Sequence, residues 1–206
     1  MHGIRHGCAW GTSRIHWWSV KPITNVVGFD DAPFVHAHRG DVRVVGAVCC
    51  RTRLDGVLSS KVRRDGVNST ETLISMVGAG KFREHIRAVL LQGIALAGFN
   101  VVDINTLSEE LDVPVIVTVR KHPRIAMVKD ALFDRTPGGA RKWKLVERAG
   151  PLEKFGAMWV QRIGLTAEET TGLLRATTLH GNLPEPLRLA HLIAGGVTTG
   201  QSRGRA

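Results

Sequence analysis

Two adjacent aspartates, Asp30 and Asp31, follow a run of apolar and β-branched residues at positions 24–29. That run predicts a strand, so the two carboxylates would project from the end of a rigid element. Carboxylate oxygens are preferred ligands of hard divalent cations, and two such ions about 4 Å apart can stabilise both oxygens of phosphodiester cleavage. The pair therefore predicts a Mg²⁺ or Mn²⁺ site. The alternative is a plain turn, because aspartate also favours turns and helix caps.

A second candidate group lies in the proline-rich run near the C-terminus, where Pro184 and Pro186 flank Glu185. Proline in a first helical turn sacrifices no hydrogen bond, and a glutamate there faces the positive end of the helix. The run thus predicts a helix start. Arg188 and His191 then lie three residues apart on one helical face and can reach one site. The alternative is a surface histidine on an ordinary terminal helix.

The predicted elements that position these groups are three strands, a helix, a strand–helix–strand unit and two terminal helices. The strands at 24–29, 42–51 and 53–62 precede any helix and indicate an antiparallel meander. The following alternation of strand and helix indicates parallel pairing with right-handed crossovers. This order predicts an α/β ribonuclease H-like mixed sheet flanked by helices. The remaining predicted elements are a helix at 68–77, a strand at 88–92, a helix at 106–111, a strand at 113–119, an irregular segment at 136–150, and helices at 166–179 and from 184.

Composition bounds the class of protein and its partners. A chain of 206 residues with 43% hydrophobic residues builds one domain, which we place at residues 23–194. Residues 1–22 read as a disordered extension and residues 195–206 as a flexible basic tail. The net charge of +10 indicates an anionic partner, nucleic acid or an acidic membrane surface. No apolar run is long enough to span a bilayer. The three cysteines form no metal-binding motif and predict a reduced, cytoplasmic protein.

Three further motifs carry a family resemblance. They are Gly-Phe-Asp-Asp-Ala-Pro-Phe around Asp30, Arg-Arg-Asp-Gly-Val-Asn-Ser-Thr-Glu ending at Glu71, and Leu-Gln-Gly-Ile-Ala-Leu-Ala-Gly-Phe-Asn-Val-Val-Asp ending at Asp103. Together they resemble the UPF0215 (DUF99) family, a largely archaeal set regarded as relatives of endonuclease V. The proline-rich run similarly resembles the C-terminal helix of endonuclease V. The resemblance covers about residues 23–193 and implies the fold and a metal-dependent nuclease ancestry.

The resemblance also implies a site. Asp30 matches the metal-binding aspartate of the first strand, and His191 matches the residue that completes the metal site. Glu71 falls near the family's catalytic glutamate, although it also fits a capping box with Asn68. Gln92 stands where endonuclease V has an aspartate, which predicts weaker magnesium binding because an amide brings no charge. The nearest acid that could replace it is Asp103.

A cation beside the scissile phosphate is implied by the strand that begins at Pro114. The family lysine of that strand matches Arg120 or Lys121, of which one faces the site because neighbouring strand residues alternate faces. The endonuclease V wedge that separates strands is missing here, so inosine recognition is not implied. Basic residues elsewhere predict contacts with nucleic-acid phosphates, or simply solvated strand edges: Arg51, Arg53, Lys61, Arg63, Arg64, Arg141, Lys142 and Lys144.

Three functional hypotheses follow from these residues. The first is a Mg²⁺- or Mn²⁺-dependent nuclease for structured or single-stranded DNA or RNA, using Asp30, Glu71, Gln92 and His191 as ligands and Lys121 as the catalytic cation. The second is a nucleic-acid-binding protein of the same fold that lost catalysis with the acid at position 92. The third is a hydrolase of a small molecule or nucleotide in a pocket built from Asp30, Asp31 and Asp103.

Overall fold

The computed structural model describes residues 23–202 and contains a seven-stranded mixed sheet with helices on both faces. The predicted extension at residues 1–22 lies outside the described part of the chain. The sheet order is β3-β2-β1-β4-β7-β9-β8, and a short β5–β6 hairpin stands apart from it. The strands are β1 Asn25–Asp31, β2 Asp41–Cys50, β3 Arg53–Arg63, β4 Ala88–Gln92, β5 Ala95–Leu96, β6 Asn100–Val101, β7 Val115–Val119, β8 Glu153–Phe155 and β9 Met158–Ile163. The helices are α1 Ser69–Gly78, α2 Ile104–Leu111, α3 Ile125–Arg135, α4 Gly139–Arg148, α5 Ala167–Thr177 and α6 Glu185–Thr199.

Strand pairing confirms the predicted topology. β1, β2 and β3 form an antiparallel meander, whereas β1, β4 and β7 run parallel. The carboxyl ends of these three parallel strands therefore meet at one edge of the sheet, which we call the site edge. Asp30 lies at this edge on β1, and Gln92 lies there on β4.

The parallel strands are buried on both faces. Odd-numbered and even-numbered residues of a strand point to opposite faces, so their side chains belong to different cores, and we call this odd or even parity. Odd-numbered residues of β1 and β4 pack with α1 and α2, whereas even-numbered residues pack with α5 and α6. The odd set includes Val27, Phe29, Val89 and Leu91, and the even set includes Val26, Ala88 and Leu90. Parity along a strand thus decides which helices a site-edge side chain meets.

Several local predictions are confirmed and others are wrong. Thr166 with Glu169 and Thr106 with Glu109 have the spacing that predicts a capping box at the start of a helix. The first box is present at the start of α5. The second is absent, because α2 begins at Ile104 and Asp103 caps it. Asn68 precedes α1 without a capping hydrogen bond, so Glu71 is not half of a capping box there.

The segment predicted as irregular at 136–150 instead contains α4, which pairs with α3 as a helical hairpin. Half of the residues of α4 are charged and it follows the Pro137-Gly138 pair, a composition typical of a loop, so the sequence did not reveal the helix. The hairpin is closed by Gly139, where a Cβ atom would lie only 2.0 Å from the carbonyl oxygen of Leu132. Helix α6 runs to Thr199, so the first residues of the predicted flexible tail are helical. Within residues 23–202, no helix is long and apolar enough to cross a bilayer.

Helix α6 packs directly on the backbone of β1 at Gly28. A Cβ atom there would lie 2.5 Å from the carbonyl carbon of Pro186 and 2.7 Å from the amide nitrogen of Leu187. Because these are backbone atoms, only a shift of the whole helix would relieve the overlap. The absence of a side chain at Gly28 therefore sets how closely α6 approaches the site edge.

The substitution Gly28→Ala should destabilise the fold by about 1–3 kcal/mol through overpacking, as read from urea denaturation. The matched control is Gly172→Ala in α5, where a Cβ atom meets nothing within 4 Å. That control should stabilise the protein by about 0.5–1 kcal/mol, since alanine restricts the unfolded chain. Equal effects of the two substitutions would contradict the close packing of α6 on β1.

Candidate active site

The central contact of the site edge joins Asp30 of β1 to His191 of α6. Oδ2 of Asp30 lies 2.8 Å from Nδ1 of His191, and Asp30 is only 6% exposed. Even parity turns Asp30 towards α6, and the close approach at Gly28 brings the imidazole within reach. Burial raises the pKa of Asp30, while the hydrogen bond and charge of His191 act in the opposite direction. The backbone N–H of Asp31 donates to Oδ1 of Asp30 at 3.0 Å.

Asp31 has the opposite parity and turns away from α6. Its Oδ2 accepts a hydrogen bond from the backbone N–H of Ala97 at 3.1 Å, which ties the β5–β6 hairpin to β1. Ala97 is fully buried at a positive φ of 49°, a conformation that needs such support. Burial and the neighbouring charge of Asp30 raise the pKa of Asp31 to about 6. Sequence reasoning missed this anchor because nothing local links position 31 to position 97.

Gln92 stands beside Asp30 on the neighbouring strand. Leu91 pairs with Phe29 in parallel register, so the next residues, Gln92 and Asp30, are level and share even parity. Oε1 of Gln92 is buried and has no hydrogen-bond partner among residues 23–202. An unpartnered buried carbonyl oxygen is costly unless a ligand satisfies it.

A hard divalent cation fits this donor set. The buried carboxylate of Asp30 and the free Oε1 of Gln92 are oxygen ligands of the kind Mg²⁺ and Mn²⁺ prefer. The His191 ring, held through Nδ1 by Asp30, keeps Nε2 for a further contact, as metal-bound histidines commonly do. Within the described part of the chain, no three His, Cys, Asp or Glu side chains gather as a metal cluster. The implied ion would therefore rely on the amide oxygen and on water.

Glu71 does not join Asp30, contrary to prediction. It is exposed on α1, whose buried residues belong to the odd-parity core, on the sheet face opposite α6. It lines a separate cavity of about 450 Å³ together with Asp103 and Lys142. Sequence order alone could not reveal that α1 and α6 cover opposite faces.

Asp103 does not replace the missing acid either. Its carboxylate accepts hydrogen bonds from the backbone N–H groups of Asn105 and Thr106, both at 3.2 Å, and pairs with Arg148 at 2.8 Å. These contacts make Asp103 the cap of α2. Asp103 lines the same cavity as Glu71, which neither Asp30 nor Asp31 lines, so the structure does not bring together the three acids of the third hypothesis.

The two candidate cations after β7 separate by parity. Arg120 continues the even series of β7 and lines a cavity with Arg188 on the α6 side of the sheet. Lys121, predicted as the catalytic cation, has odd parity and is exposed outside that cavity. Arg120 is therefore the cation on the same face as Asp30 and His191. The predicted pair Arg188 and His191 does share this side of α6, although Arg188 binds Glu185 and His191 contacts Asp30.

The predicted phosphate-binding residues fall into separate places. The register pairs Arg63 with Asp41 and Arg53 with Cys50, so Lys61 and Arg63 lie towards the site edge and Arg51 and Arg53 at the far end. At about 3.3 Å per residue, the two ends of β3 are about 30 Å apart. All four side chains are exposed, as is Lys144 of α4.

Two of the predicted phosphate contacts are instead structural. The side chain of Arg64 is 12% exposed, pairs with Asp65 at 3.1 Å and donates to the carbonyls of His36 and His38. Lys142 is 1% exposed and donates to the carbonyl of Asp65. Burial lowers the pKa of Lys142, since desolvation disfavours the charged form. Both cations hold loops in place, so the prediction of an exposed basic patch is wrong at these two positions.

A seven-stranded mixed sheet with helices on both faces, and a strand-end aspartate in contact with an imidazole of the C-terminal helix, define an α/β protein with an acid–imidazole pair at one edge of its sheet. The sequence profile of the endonuclease dU family matches residues 22–198, and the chain belongs to this family. A UPF0215 protein of Deinococcus radiodurans is 50% identical over 89% of this chain and 93% of its own length. A UPF0215 protein of the archaeon Methanothermobacter thermautotrophicus is 41% identical over 91% and 94%. The predicted family is confirmed.

Solved structures confirm the fold. A protein of unknown function from Archaeoglobus fulgidus aligns with a TM-score of 0.79 at 36% identity, covering 84% of this chain and 98% of that one. Endonuclease V of Ciona intestinalis, in complex with a 24mer DNA containing an inosine followed by a ribo-adenosine, aligns with a TM-score of 0.55 at 13% identity. That alignment covers 84% of each chain. The endonuclease V architecture is thus shared at low sequence identity.

In metal-free buffer, Asp31→Asn should stabilise the protein at neutral pH. The folded-state pKa of about 6 exceeds the ordinary 3.8, so the wild-type free energy of unfolding falls as pH rises through this window. Asparagine keeps an oxygen for the N–H of Ala97 but does not titrate. Urea denaturation should give a difference of up to about 3 kcal/mol at neutral pH that disappears below about pH 4. A difference independent of pH would contradict the raised pKa.

Proposed function

We propose that the protein is a divalent-metal-dependent endonuclease that hydrolyses phosphodiester bonds of nucleic acid at the site edge. The observation that carries the proposal is the buried Asp30–His191 contact beside the unpartnered Oε1 of Gln92. Membership of the endonuclease dU family and the charge of +10 support it. Cys49 and Cys50 are free thiols, which suits the reducing cytoplasm in which we place the reaction.

Each residue of the site edge has a distinct task in this proposal. Asp30 and Gln92 hold Mg²⁺ or Mn²⁺, which when bound supplies Lewis-acid polarisation of a phosphoryl oxygen. Asp30 also fixes the ring of His191 through Nδ1, so that Nε2 can bind the ion or carry a proton. Arg120, on the same face, adds positive charge beside the site edge, where the negatively charged strand would lie. Asp31 holds the β5–β6 hairpin beside this edge through Ala97.

DNA that contains deoxyuridine is the substrate we propose to test first, because the family is described as endonuclease dU. Lys61 and Arg63 are exposed towards the site edge and are suited to binding the backbone of such a strand. Lys144 extends the exposed basic surface on α4. Arg51 and Arg53, at the far end of β3, would contribute to binding only on a long substrate.

A second candidate function is nucleic-acid binding without cleavage. The neutral Gln92 in place of an acid favours it, and so does the lack of a three-residue metal cluster within residues 23–202. A site with one charged ligand fewer holds magnesium more weakly. This alternative predicts salt-dependent binding with no metal-dependent product.

Asp30→Asn should abolish Mg²⁺ and Mn²⁺ binding in calorimetry and lower metal-dependent cleavage of labelled strands by about 100-fold or more. Asp130→Asn is the matched control, because Asp130 is an exposed carboxylate on α3. Gln92→Glu, which adds a charge at the same position, should bind the ions more tightly than the wild type. Cleavage by Asp30→Asn at the wild-type rate would contradict the proposed nuclease. Binding of strands without metal-dependent cleavage by the wild type would favour the second candidate.

A further inference from the structure

A cationic cavity of about 420 Å³ lies between the end of β7 and the start of α6. Its polar lining consists of Arg120, Arg188, His180 and Asn182, and the remainder comes equally from the β8–β9 turn with β9 and from the segment before α6. No carboxylate lines it among the described residues. Both arginines, the imidazole and the amide can donate hydrogen bonds, so the lining is complementary to an anion.

The guanidinium of Arg188 on α6 is held in one orientation by a neighbouring carboxylate. Nε and Nη2 of Arg188 donate to the carboxylate of Glu185 at 2.9 and 2.7 Å, and the side chain of Glu185 is only 4% exposed. A guanidinium has five N–H donors, so both donors of Nη1 and one of Nη2 stay available. The buried carboxylate thus orients a partly exposed cation towards the cavity. An oriented guanidinium is well suited to phosphate, which it binds through two parallel hydrogen bonds.

The side chain of the second arginine, Arg120, has no partner in the part of the protein that the structure describes. Within residues 23–202, the side chain of Arg120 makes no hydrogen bond or ion pair, and it is exposed just after the carboxyl end of β7. Arg120 lines the same cavity as Arg188, and its own charge has no acidic partner there among the described residues. This arrangement favours a bound anion over a purely structural role.

The cavity lies close to the proposed cleavage site. Arg188 precedes His191 by three residues on α6, which puts their Cβ atoms about 5–6 Å apart. The cavity and His191 are therefore close enough to contact neighbouring phosphates of one strand. We infer that the Arg120–Arg188–His180–Asn182 cavity binds an internal phosphate of the substrate strand beside the phosphodiester that is cut. This inference rests on the proposed function for the identity of the strand as substrate.

Binding without metal tests the inference independently of cleavage. Binding of a labelled single strand to the wild type, Arg120→Ala and Asn182→Ala is measured by fluorescence anisotropy over a series of salt concentrations. EDTA keeps the buffer free of divalent metal. Arg120→Ala should weaken binding and reduce the slope of log affinity against log salt by about 0.7, the value for one lost phosphate contact. Arg87→Ala is the matched control, since Arg87 is an exposed arginine just before β4, at the opposite edge of the sheet. Asn182→Ala should weaken binding with little change of slope.

A second arm identifies the phosphate. Strands with one neutral methylphosphonate linkage are compared position by position, and a strand without its 5′-phosphate is measured alongside. One internal linkage should weaken wild-type binding yet leave Arg120→Ala unaffected. Equal losses in both proteins, or no sensitive linkage, would overturn the inference, and so would sensitivity to the terminal phosphate alone. A sensitive linkage without any metal-dependent cleavage would retain the cavity and reject the nuclease.

Arg188→Ala is avoided as the main variant because it would leave the buried carboxylate of Glu185 without a partner and endanger folding. Arg188→Lys keeps the charge and loses the parallel pair of hydrogen bonds. This variant should weaken binding of the unmodified strand while leaving the slope of log affinity against log salt nearly unchanged. A slope reduced as much as in Arg120→Ala would contradict the role of an oriented guanidinium.

Discussion

The site depends above all on the close approach of α6 to the backbone of β1. Gly28 permits this approach, because any side chain there would meet the backbone of Pro186 and Leu187. The helix can then deliver His191 to Asp30 at 2.8 Å across 161 positions of sequence. The same packing of α6 places Arg188, which Glu185 holds, in the cavity at the carboxyl end of β7. One steric constraint thus places both the acid–imidazole pair and the cationic cavity.

Strand parity then divides the chemistry between the two faces of the sheet. Asp30, Gln92 and Arg120 share even parity and meet α6, whereas Asp31 turns to the other face and holds Ala97. Adjacent aspartates therefore have different tasks, one at the candidate metal site and one in anchoring a hairpin. The burial that raises the pKa of both carboxylates is the cost of placing acids at the end of a fully covered strand.

Burial also separates the basic residues by role. Arg64 and Lys142 donate hydrogen bonds to backbone carbonyls of the fold, while Lys61, Arg63 and Lys144 remain exposed. A net charge of +10 is therefore only partly available to a nucleic-acid strand. The charge that matters most for the proposed reaction is the small group around Arg120 and Arg188, because it lies on the same face as Asp30.

The sequence by itself determined the meander of β1 to β3, the parallel pairing of β4 and β7 and the family, and it supplied the candidate residues Asp30, Gln92 and His191, because apolar runs, turns and local motifs are readable in one dimension. It did not determine the α3–α4 hairpin or the short strands β8 and β9 at one side of the sheet, because α4 is half charged and follows a Pro-Gly pair, and short strands leave little apolar pattern. Nor did it separate Glu71 and Asp103 from the site, since only the tertiary structure decides which sheet face each helix covers. Contacts such as Asp31 with Ala97 and Asp103 with Arg148 join distant positions, and they form only when the sheet brings those positions together.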